Sequence, residues 1–297
     1  MSTAHSGYYL PHDAHWPIVG SIGLTAMLGG FGAWLNGSGA GPWFMAAGFV
    51  ILLVMMFGWF GTVIRENLAG LYNEQVDRSF RWAMGWFIFS EVMFFAAFFG
   101  ALFYARVFAV PWLGGEGDKY LTHELLWKGF EAVWPLLQPP IAAVDPSANP
   151  YALPKGIIET WKIPALNTLI LLSSGVTVTW AHWGLKKGNR GQLILGLIAT
   201  IALGVTFLAL QAYEYVHAYE ELNLKLSSGI YGSTFFMLTG FHGLHVTIGA
   251  TMLTVILARA IAGHFTPDNH FAFEAVAWYW HFVDVVWLFL FVFVYWI

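Results

Sequence analysis

Six sets of side chains in this sequence combine type and spacing in a way that could support chemistry. Glu91 is the one charge in Trp82–Tyr104, WAMGWFIFSEVMFFAAFFGALFY. A run of that length spans a bilayer core, which needs roughly 20 apolar residues. At about 1.5 Å rise per residue, Glu91 falls near mid-membrane. An acid there costs about 2.5–3.5 kcal/mol to insert, so it is expected to have a function or a partner. Its helical neighbours are Phe87, Ile88, Phe94, Phe95 and Phe98, which disfavour the charged form. The expectation is a neutral membrane carboxyl hydrogen-bonded across helices. The alternative is a proton carrier in a proton-coupled membrane transporter.

FMLTGFHGLHVTIG places His242 and His245 one turn apart, on one helix face. Two imidazoles so placed could ligate a metal or haem. Gly240, Gly243 and Gly249 around them favour close helix packing instead. His281 and Asp284 stand in WYWHFVDVVWLFLFVFVYW, where a carboxylate–imidazole bond, or a pair to another helix, would satisfy two groups that lipid cannot. All four read as structural polar groups. Gln211, Glu214 and His217 in QAYEYVHAYEE fall near an interface, where water or another subunit is the expected partner. Trp59, Arg65 and Glu66 in FGWFGTVIRE, with Arg259, lie at headgroup depth. Two arginines there would hold a phospholipid phosphate, and ordinary interfacial anchoring is the alternative. His5, His12 and His15 precede the first apolar run and titrate near neutrality, so they could collect protons. The alternative is a disordered tail.

The elements that must position these residues are membrane helices. The chain is 58% hydrophobic and 10% charged, against about 25% charged for a soluble domain. Its net charge of −4 suits no nucleic-acid partner. With no cysteine, thiolate-ligated metals, disulfides and cysteine nucleophiles are excluded, and no metal is expected in this chain. The N-terminus shows neither a basic region with an apolar core nor an Arg-rich amphipathic pattern, so the first span is expected to direct insertion.

The fold class is an all-α membrane protein with seven spans, at about residues 18–35, 43–64, 82–104, 163–185, 192–215, 230–257 and 275–297. Residues 1–17 form an N-terminal arm, and 65–81 a polar loop. Residues 106–162 form the one long loop, holding seven of the twelve prolines. Within it, Thr122 as N-cap, the Glu124–Lys128 pair and Leu126, Phe130 and Val133 suggest a short amphipathic helix. Loops on the N-terminal side hold seven of thirteen Lys and Arg, which puts the N-terminus in the cytoplasm or matrix.

These segments carry a family resemblance. HWPIVGSIG, VIRE, FIFSEVMFFAAFFGALFY, LNTLILLSSGVTVTWAH, LQAYEY, YGSTFFMLTGFHGLHVTIG and, most strongly, FEAVAWYWHFVDVVWLFLF resemble subunit III of haem–copper cytochrome c oxidase, in the family's order. The resemblance implies a two-helix bundle (18–64) and a five-helix bundle (65–297), with a V-shaped, lipid-filled cleft between them. It implies a subunit without a redox centre that packs on subunit I, with subunit II as a further partner within the oxidase. Haem and copper are then expected in subunits I and II, with cytochrome c as substrate of the whole complex. The family's membrane carboxyl falls on Glu91, and its lipid-contacting positions on Trp59, Phe60, Arg65, Glu66 and Arg259. The first hairpin favours the cytochrome c branch over quinol oxidases. A bacterial plasma membrane is preferred to a mitochondrial inner membrane. The family often shows two histidines after Trp-Ala, whereas His182 is followed here by Trp183. The long loop does not align, and nothing is carried onto it.

Overall fold

The computed structural model describes residue 9 and residues 14–297. His5 and His12 lie outside the described residues. Regular structure among the described residues is helical throughout. Seven helices are long and apolar enough to cross a membrane: α1 (Trp16–Leu35), α2 (Gly41–Leu68), α3 (Glu74–Tyr104), α4 (Ile163–Lys186), α5 (Arg190–Glu220), α6 (Gly229–Ile261) and α7 (Phe271–Leu290). Two compact units emerge, Met1–Ala83 and Met84–Ile297.

The first unit is built on the α1–α2 hairpin. Pro17 opens α1, where a missing N–H is harmless. Gly37, at φ +81°, turns the chain back. Small residues let the two helices approach, as expected where lipid removes the hydrophobic drive and packing must hold helices together. A Cβ on Gly30 would stand 2.5 Å from the Met45 backbone nitrogen, and one on Gly48 would collide with the Met27 backbone.

The expected polar loop at 65–81 is mostly helix. α2 runs to Leu68 and α3 begins at Glu74. Asn73 Oδ1 accepts from the Val76 N–H at 3.0 Å, capping α3. Charged residues such as Arg65, Glu66, Asp77 and Arg81 therefore extend the helices beyond the hydrocarbon, where apolar length cannot reveal them. α3 also continues past Tyr104 through a π-helical turn (Ala105–Ala109) to Leu113, a span of 40 residues.

The second unit is centred on α7. In its most apolar window 56% of residues are buried, against 6% in α2. Trp280 and Trp287 are fully buried, and each indole N–H finds a hydroxyl on α4: Ser174 Oγ at 2.9 Å and Thr168 Oγ1 at 2.9 Å. Gly204 leaves room for the Trp280 ring, 2.6 Å from where a Cβ would sit. α7 packs against α4 and α6, and α5 lies between those two.

The amphipathic helix of the long loop is shorter than expected, Tyr120–Leu126. Thr122 lies inside it, and Phe130 and Val133 lie beyond it. Gly129 at φ +91° takes the backbone into the left-handed region, which a helix does not use. The Glu124–Lys128 pair does form, at 2.6 Å. Phe130, Leu136 and Ile158 are buried, so the loop is packed onto the second unit. The Lys155 N–H also donates to Leu222 O at 2.7 Å.

Candidate functional site

Glu91 meets His245 across the α3–α6 contact, with Oε2 and Nε2 2.8 Å apart. The side chains are 21% and 10% exposed. The other imidazole nitrogen, Nδ1, lies 2.6 Å from the Phe241 carbonyl. A carbonyl only accepts, so Nδ1 carries a hydrogen. The Nε2–Oε2 contact then needs one further proton, held either by the carboxyl or by the imidazole. In both cases the pair is neutral overall, which lowers the cost of placing it in hydrocarbon. Phe94, Phe95 and Tyr279 surround the His245 ring, with centroids 5.8, 4.9 and 6.4 Å away. Glu91 stands out in sequence as a charge in an apolar run. His245, 154 residues away, carries no such label.

His242 is fully buried and donates from Nε2 to the Val283 carbonyl at 3.1 Å. One turn separates it from His245, but the two serve different neighbours, α7 and α3. His281 and Asp284 are not joined to each other. His281 Nε2 lies 3.3 Å from Thr179 Oγ1, while Asp284 Oδ1 has no hydrogen-bond partner among the described residues. Both face Gly175, whose missing Cβ leaves space for the Asp284 carboxyl, 3.0 Å from where that Cβ would be.

Gln211 and Glu214 are not solvated, contrary to expectation. Glu214 is 1% exposed. Its Oε1 accepts from the Tyr295 hydroxyl at 2.6 Å and from Gln211 Nε2 at 3.2 Å. His217 alone of the three stays half-exposed, 3.2 Å from Glu221.

The headgroup-level residues divide between the units. Trp59 and Phe60 are exposed on α2, and Arg65 donates to Thr62 Oγ1 at 3.0 Å. Glu66 accepts from Tyr72 at 2.7 Å and from Tyr9 at 3.1 Å. Burial, then the bond to Glu66, raises the Tyr72 phenol well above its ordinary value. In the second unit Arg259 is 9% exposed and lies over the Phe265 ring at 4.6 Å. His15 packs on Trp16, ring centroids 4.3 Å apart.

A third cluster escaped the sequence reading. His182 near the end of α4, and His270 and Glu274 at the start of α7, turn ligand atoms toward one point, all within 4.8 Å of one another. Their signal, His-x-x-x-Glu in HFAFE, sits 88 positions beyond His182.

The model of the cytochrome c oxidase subunit III family matches residues 5–120 and 140–297. The chain belongs to that family. The unmatched stretch lies within the long loop that did not align. Among relatives named "Cytochrome c oxidase subunit 3", that of Cyprinus carpio is 41% identical, covering 99% of this chain and 97% of its own length. That of Lemur catta is 39% identical, covering 100% and 94%, and that of Scyliorhinus canicula is 41% identical, covering 97% and 96%. Membership makes the chain a transmembrane subunit of an oxidase complex. These relatives are vertebrate proteins, which gives the preference for a bacterial plasma membrane no support.

Proposed function

We propose that this chain is the non-redox core subunit of a proton-pumping oxidase that passes electrons from cytochrome c to oxygen, giving water. It packs on subunit I, binds phospholipid, and supports the stability and proton uptake of subunit I. Trp59, Phe60, Arg65, Glu66 and Arg259 contact the lipid, and the histidines of the N-terminal arm gather protons.

The observation carrying the lipid reading is the outer end of α2. Two large aromatics there, Trp59 and Phe60, are 46% and 63% exposed, one to two turns before the exposed Arg65 guanidinium. Apolar surface followed by a cation at helix-end depth matches acyl chains followed by a phosphate. Arg259 supplies a second guanidinium whose Nε has no hydrogen-bond partner among the described residues.

The test is lipid retention in the purified oxidase. A charge-assisted bond to phosphate contributes about 1.5–3 kcal/mol, so Arg65→Ala or Arg259→Ala should weaken retention roughly 10- to 150-fold. Mass spectrometry should then find fewer phospholipids per complex. Unchanged lipid content in both variants counts against the reading.

A further inference from the structure

We infer that His182, His270 and Glu274 form a binding site for a divalent transition-metal cation of the zinc class, clamping the end of α4 to the start of α7. His182 Nε2 and His270 Nε2 approach the same oxygen, Glu274 Oε1, at 3.6 and 3.2 Å. The three side chains are 21%, 10% and 13% exposed. Neither Nε2 makes a hydrogen bond among the described residues, although each is buried beside a carboxylate.

The tautomer of His270 suits ligation. Its Nδ1 lies 3.2 Å from the Thr266 carbonyl, so Nδ1 carries the hydrogen and Nε2 of the neutral ring presents a lone pair to Glu274. Metal-binding histidines are commonly held this way, the remote N–H donating to a carbonyl while the other nitrogen ligates. A cation between the rings and the carboxylate would convert the facing lone pairs into ligands. Two imidazoles and one carboxylate suit zinc-class ions and leave a fourth position open to water. Zinc with bonds of about 2.0–2.2 Å sets ligand atoms about 3.3 Å apart, and both imidazole nitrogens already stand near that distance from Glu274 Oε1, at 3.6 and 3.2 Å.

The rival explanation is a protonated imidazole that pairs with Glu274 and binds no metal. The untagged full-length chain, purified in detergent and stripped with chelator, is incubated with Zn²⁺ and passed through a desalting column. One Zn²⁺ per chain should remain. His182→Ala, His270→Ala and Glu274→Gln should each weaken retention at least about tenfold, while His217→Ala, a bare His–Glu pair on α5, leaves it unchanged. X-ray absorption on the loaded wild-type chain keeps the test open should a variant misfold. Two imidazole nitrogens at about 2.0–2.1 Å are expected. No retained zinc in the wild-type chain, undiminished retention in all three variants, or a zinc shell without imidazole overturns the site.

Discussion

Replacing Glu91 tests what a carboxyl in the middle of a membrane is for. His245 Nδ1 is committed to the Phe241 carbonyl, so Nε2 of a neutral ring can only accept. Glu91→Gln supplies an amide N–H at nearly the same place, and a neutral bond exchanged for a neutral bond changes stability by less than about 1 kcal/mol. Glu91→Leu leaves Nε2 without a donor in a side chain 10% exposed, at a cost of about 1–3 kcal/mol. An ionised pair behaves differently, because removing one partner of a buried ion pair costs about 3–5 kcal/mol. Unfolding by SDS titration in micelles measures the difference. Combining Glu91→Leu with His245→Leu closes a double-mutant cycle, and an interaction energy of about 1–3 kcal/mol is expected for a neutral bond. A loss above about 3 kcal/mol for Glu91→Gln would refute a carboxyl-held proton. The same variant, in reconstituted vesicles with a pH dye, should pump protons at normal stoichiometry. Loss of pumping with normal oxygen consumption, haem content and assembly would make Glu91 a carrier.

Gly48→Val should separate the α1–α2 hairpin, since the new side chain meets the Met27 backbone, with a loss of about 1–3 kcal/mol visible as earlier thermal unfolding and faster proteolysis. Tyr72 has a raised pKa, so its bond to Glu66 is intact below pH about 10, the ordinary tyrosine value, and is lost as pH rises through the higher folded value. Spectrophotometric titration of Tyr72→Phe should show one late-ionising phenol fewer than the unchanged chain. Changing His5, His12 and His15 together to Gln should lower oxidase turnover at alkaline pH, where protons are scarce; a turnover profile unaltered over pH about 6–9, around the imidazole pKa, would dismiss the proton-gathering arm.

Seven spans were legible because each needs an unbroken apolar run, and Glu91 was legible as the exception within one. Helix ends were not, because Glu74 and Arg81 look like loop residues to a reading that follows hydrophobicity. Partners were also hidden. Glu214 was read as solvated because Tyr295, which buries it, lies 81 residues away. His281 and Asp284 share a face of α7, yet the contacts from α4 hold only His281. Spacing along one helix shows which groups can meet, and the neighbouring helix decides which do.

The long separation between Glu91 and His245 also bears on how the chain is made. Residues are added at about 5–20 per second, and 154 of them separate the two partners. For roughly 8–30 seconds, by that rate, a newly inserted α3 carries a carboxyl with nothing to bond. Glu214 likewise waits for Tyr295, 81 residues later. Each nascent intermediate thus displays a polar group within the bilayer that only a later helix removes. An insertion factor offering a polar groove would hold such intermediates, and a membrane protease could recognise stalled ones by the same exposed acid. Burial then becomes a built-in quality check, passed when α6 and the segment carrying Tyr295 have withdrawn both marks from lipid.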